Sequence, residues 1–96
     1  MGPQRRRYIV IYDIVNDKRR NKVARVLGGY GDRVQYSVFE CVLHEKQFEA
    51  LWEELADIVE TTEDSVRAYR LCATCQGWTL TLGPPREVTV PEVYVA

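Results

Sequence analysis

Histidine occurs once in this chain, at His44, and no apolar stretch comes near the roughly 20 residues a membrane span requires. The single histidine leaves Ser37 without a base of predictable proximity, so a hydrolase triad is excluded and a strand-borne serine is expected to bond to backbone. A Cys–His nucleophilic pair lacks a third, orienting group. Glycines are missing where a phosphate loop would need them, because Ile14-Val15-Asn16 follows the first predicted strand. Cysteine is scarce as well. Cys41-Val-Leu-His44 and Cys72-Ala-Thr-Cys75 nominally offer four zinc ligands, but Cys41 and Cys72 continue predicted strands, without glycine turns to aim both sulfurs at one point. They are expected to be thiols in a reducing compartment. Only a strand-length apolar segment follows the cationic residues Arg5 to Arg7, so no secretory signal is expected; the expected location is cytoplasmic, with no membrane partner.

What is present fits one small domain of 96 residues, whose single core stabilises it only modestly. Association into a dimer is the natural supplement. The net charge of −1 conceals a polarity: residues 1 to 33 carry nine Lys/Arg against three Asp/Glu, and the remainder carries four against eleven. A basic first part of this kind suits either a polyanion or an ordinary solvated surface.

Tyr8 to Tyr12 is a continuous apolar run, which predicts a central strand with Asp13 at its carboxyl end. From Asp17 to about Tyr30, Val23, Val26, Leu27 and Tyr30 fall at helical spacing, with Asn16 or Asp17 as N-cap and Gly28-Gly29 at the exit. Arg33 to Leu43 alternates through Val34, Tyr36 and Val38, then loses phase, which predicts a tight hairpin near Glu40. Phe48, Leu51, Trp52, Leu55, Ile58 and Val59 mark a second, acidic-faced helix. Asp64 to Cys72 and Trp78 to Leu82 read as strands. Gly83-Pro84-Pro85 then divides a domain over residues 1 to 83 from an extended tail over 84 to 96, which Pro91 confines to a sheet edge.

The expected fold is therefore α+β, a ferredoxin-like βαββαβ sandwich with an extra C-terminal strand. Two helices cover one sheet face. The chain has no third layer for the other face, and a second copy would supply one.

Asp13 has three candidate roles: helix cap, salt-bridge partner of Arg20 or Lys22, or ligand for Mg²⁺ or Mn²⁺. One carboxylate grips a hard cation poorly, so the third role asks for a second Asp13 across a dimer axis. Two such carboxylates would repel, and either a shared proton or a divalent ion would relieve them.

Tyr12-Asp13-Ile14, the helix bearing Arg20-Asn21-Lys22-Val23, and above all Arg33-Val-Gln-Tyr-Ser-Val-Phe-Glu40 resemble the CRISPR-associated endoribonuclease family (Cas-two), the small partner of the spacer integrase. Leu71-Cys-x-x-Cys75 is a softer echo, and the resemblance runs from about residue 8 to 82. It implies a homodimer with facing sheets, the C-terminal strand of each chain crossing to the other, and a role in spacer acquisition. It also implies Asp13 as the metal-binding and catalytic aspartate, one from each subunit. Tyr12, Arg20, Arg33 and Phe39 match positions implicated in cleavage of single-stranded RNA or duplex DNA, and Lys22 stands where some members carry arginine. Arg19, in the same basic cluster, joins them as a candidate phosphate contact. The resemblance leaves room for two roles, a metal-dependent nuclease and a non-catalytic scaffold that bridges the integrase and binds duplex DNA.

Overall fold

The structure, a computed structural model, describes residues 4 to 71 together with Leu80 and Leu82. The elements run β1 (Arg6–Asp13), α1 (Asp17–Gly28), β2 (Gly31–Gln35), β3 (Val38–Leu43), α2 (Glu45–Ile58) and β4 (Ser65–Leu71). The four strands form an antiparallel sheet in the order β2-β3-β1-β4, so β1 is central and each β-α-β unit is split by an intervening strand. This is the expected ferredoxin-like order. Among the described residues no helix is long and apolar enough to cross a membrane. Cys72, Cys75, most of the strand expected at Trp78 to Leu82 and the tail from residue 84 lie outside the described residues.

Each helix begins and packs for local reasons. Asn16 takes an extended backbone and its Oδ1 accepts the Arg19 N–H at 3.0 Å, satisfying a donor that the first turn leaves orphaned. Val23 and Leu27, one turn apart, are then buried completely. Glycine releases the chain at the other end, with the Gly29 N–H on the Val26 carbonyl at 3.0 Å. In α2, Leu51 and Leu55 are the buried pair, and Gln47 reaches back to accept the His44 N–H at 2.8 Å. Phe48 leaves that row to stack on Tyr8, ring centroids 4.2 Å apart.

The sheet has two unlike faces. Tyr8, Val10 and Tyr12 from β1, with Phe39, Cys41 and Leu43 from β3, point into the core beneath the helices. Ile9, Ile11 and Asp13 alternate to the opposite face, where Ile9 lies between Glu40 and Tyr69, Ile11 between Val38 and Arg67, and Asp13 beside Ser65. Among the described residues no layer covers that face: Ile11 is 38% and Tyr69 48% exposed. The continuous apolar run of β1 thus encodes two apolar surfaces rather than one.

The hairpin differs from the sequence expectation. The turn lies at Tyr36-Ser37 and Glu40 sits inside β3, paired with Ile9 and Asp32. The phase loss has two physical sources. A two-residue turn reverses the chain, so that Phe39, Cys41 and Leu43 become the inward set, and a bulge lets Arg33 to Gln35 oppose only Phe39 and Val38.

Candidate functional site

The carboxyl end of β1 gathers the chemistry. Asp13 is its last residue, exposed, paired through its backbone with Ser65 of β4 and facing the open side of the sheet. Neither of the structural roles considered for it is filled. The cap is Asn16, and Arg20 turns away from Asp13 to pair with Asp17 and to donate from Nη1 to the Ile14 carbonyl at 3.0 Å. Among the described residues no side chain bonds to the Asp13 carboxylate. Nor do they bring together three or more His, Cys, Asp or Glu side chains able to hold a metal ion. Asp13 therefore offers one hard oxygen donor group, which fits a divalent cation only alongside donors from outside this chain's described residues.

Tyr12, the neighbour of Asp13, points to the other face and enters an aromatic–cationic cluster. Its ring lies 6.2 Å from that of Phe39. Arg33 donates from Nη2 to the Tyr12 hydroxyl at 3.4 Å, while its guanidinium stands 5.2 Å from the Phe39 ring centre and 5.9 Å from that of Tyr36. The Tyr12 hydroxyl donates to the Tyr36 carbonyl at 3.3 Å. Three of the sequence candidates, Tyr12, Arg33 and Phe39, are thus in contact although they come from three strands.

The basic helix start divides in two. Lys18 and Lys22 project into solvent. Arg19 is instead committed to Asp64, a residue that sequence reasoning placed only at the start of a strand. The Asp64 carboxylate also accepts the Val15 N–H at 3.0 Å and the Glu60 N–H at 2.9 Å. It thereby ties the segment after Asp13 to the turn before β4. Hydrogen bonds from Arg19, then those from the Glu60 and Val15 backbone, hold this carboxyl well below the usual carboxylate range. Periodicity could not have found it, because Asp64 belongs to neither helix nor strand.

The cysteine and histidine candidates do not make a metal site in the described part. Cys41 is fully buried on the core face of β3, and burial, reinforced by Asp32 and Glu40, pushes its thiol up to about 12. His44 is the N-cap residue of α2.

The family model of the CRISPR associated protein Cas2 matches residues 6–78, a span that contains the four strands, both helices, Asp13 and the Arg33 cluster. The chain belongs to that family. A CRISPR-associated endoribonuclease Cas2 of Chloroflexus aurantiacus is 42% identical over 87 residues, covering 91% of this chain and 94% of that protein. One from Synechocystis is 50% identical over 74 residues, covering 77% and 76% of the two chains. Among solved structures, Streptococcus pyogenes Cas2 superposes with a TM-score of 0.69 at 35% identity, covering 80% of this chain and 99% of its own. A partial Cas6-RT-Cas1–Cas2 complex contains a chain that matches with a TM-score of 0.67 at 28% identity, over 80% of this chain and 90% of its own.

Proposed function

We propose that this protein serves CRISPR spacer acquisition as a homodimer with facing sheets, and that it is a metal-dependent endonuclease acting on single-stranded RNA or duplex DNA. The observation that carries the catalytic part is Asp13: exposed at the rim of the central strand, on the sheet face that no described element covers, and bonded to no other described side chain. A carboxylate with a structural task would be spent, as Asp64 and Asp17 are. Two copies of Asp13 brought together by the open faces would hold Mg²⁺ or Mn²⁺, and such an ion, when bound, polarises a phosphate and acidifies its water. Arg33, Lys22 and Lys18 supply positive charge for the phosphates, with Arg20 joining them only by leaving Asp17, and the Tyr12 hydroxyl, held between Arg33 and Tyr36, steadies the Arg33 guanidinium. The tail over residues 84 to 96 is assigned to the partner's sheet edge.

A second reading is favoured by the match to a Cas1–Cas2 complex chain: a scaffold that bridges the integrase and binds duplex DNA without cutting it. Wild type and Asp13→Ala, assayed side by side on single-stranded RNA and duplex DNA with Mg²⁺, Mn²⁺ or chelator, separate the two. Cleavage that falls to the chelator background in Asp13→Ala supports the nuclease. Equal cleavage by both proteins, or none by wild type in either metal, overturns it in favour of the scaffold.

A further inference from the structure

The tip of the β2–β3 hairpin carries a residue that the turn itself does not call for. Two-residue turns favour Gly, Asn and Asp, which accept the backbone conformations required; here the tip is Tyr36-Ser37. The Tyr36 ring does not hold the hairpin in place either, since the residue is 74% exposed. What holds the tip is backbone: the Tyr36 carbonyl accepts the Tyr12 hydroxyl at 3.3 Å, and the Ser37 carbonyl accepts the Tyr12 N–H at 3.1 Å. Both bonds survive removal of the ring.

The surroundings of that ring point to a ligand. The Arg33 guanidinium lies between it and buried Phe39, 5.9 Å from one ring centre and 5.2 Å from the other. An exposed aromatic face beside an arginine that is itself braced from behind combines a stacking platform with a phosphate-binding charge. Single strands are held by this pair of features, because an unpaired base has a free π-face and its backbone carries the anion. Bases inside a duplex are already stacked on one another and have no face to offer. The cluster also includes Tyr12, the residue before Asp13, so it sits near the carboxyl end of β1, on the sheet face opposite Asp13.

We infer that Tyr36 is a stacking subsite for one unpaired nucleobase, with Arg33 taking the adjacent phosphate. This rests on the nucleic-acid reading above and deepens it by naming single strands as the ligand of this end of the sheet. The test is equilibrium binding of fluorescent single-stranded RNA, single-stranded DNA and blunt duplex DNA of equal length, in chelator and across a salt series, so that cleavage plays no part. Tyr36→Ala is expected to weaken single-strand binding about 5- to 100-fold, leaving duplex binding and the salt slope unchanged. Tyr36→Phe should bind as wild type. Tyr36→Leu, which keeps bulk but not the ring, should match Tyr36→Ala, and Arg33→Gln should flatten the salt dependence.

Loss on RNA alone or on both single strands supports the subsite, the two outcomes distinguishing a contact that needs the ribose hydroxyl from one to the base face only. Unchanged single-strand binding by Tyr36→Ala and Tyr36→Leu, or an equal loss on duplex, overturns the subsite while leaving the nucleic-acid reading intact. A wild-type protein that binds none of the three ligands overturns both.

Discussion

Arg19 grips Asp64 side-on, Nε to Oδ2 at 2.7 Å and Nη2 to Oδ1 at 3.2 Å, across 45 residues of sequence. The Asp64 side chain is wholly enclosed while that of Arg19 is a quarter exposed. Together with the N–H groups of Val15 and Glu60 they weld the loop after Asp13 to the turn before β4.

This carboxyl is held below its unfolded value, so its contribution to stability is present above about pH 4 and is lost progressively as the pH falls further. Asp64→Asn is expected to lower the urea midpoint at neutral pH and to flatten the decline on the acid side. Urea titrations at neutral pH and at about pH 3 check this. A mutant whose acid decline is as steep as that of wild type would assign the decline to other groups.

Asp13→Ala should leave stability within about 0.5 kcal/mol of wild type, because the side chain is exposed, has no described partner and is a poor strand former. Thermal melts of the two proteins measure this directly. The result fixes the meaning of the cleavage assay: activity lost without stability lost belongs to the site.

Gly31→Ala is expected to destabilise by about 1–3 kcal/mol. A Cβ at Gly31 would stand 2.4 Å from the Glu40 carbonyl oxygen, 2.6 Å from Cys41 Sγ and 2.9 Å from Cys41 Cα, so β2 must shift away from β3. A denaturant midpoint equal to that of wild type would mean that the strand pair yields without cost.

Cys41 should resist alkylation in the native protein and react on unfolding. Burial first, then Asp32 and Glu40, raises this thiol to about 12, which leaves almost no thiolate at the pH where exposed cysteines react. Because the folded state disfavours the thiolate, this group leaves stability unchanged below about pH 8.5 and lowers it as the pH rises above that. Peptide mass spectrometry after labelling with and without urea reads the protection. Native labelling of Cys41 would place it outside the core.

Much of the fold was legible because helical and strand periods are local. The pairs Val23 with Leu27 and Leu51 with Leu55, the Asn16 cap and the glycine exit of α1 follow from neighbours within a turn or two. The hairpin was displaced because its turn lacks the glycine or asparagine that marks such turns, and a bulge mimics a loss of phase. Of the candidate residues, Arg19 looked like Lys22 in the sequence. Only the structure gives it a buried carboxylate and leaves Lys22 in solvent.

The sequence by itself determined the order of elements, the apolar faces of both helices and the concentration of cations in the first third of the chain, since each is written in spacing or composition. Tertiary structure decided which charges are spent. Asp64 finds Val15 and Arg19 at separations of 49 and 45 residues, and Arg33 meets Phe39 and Tyr12 only where three strands lie side by side. A carboxylate left exposed and a carboxylate enclosed by four donors look the same in sequence. Asp64 and Asp13 differ because the sheet order brings donors to the first and leads the second to a face that no other described element covers.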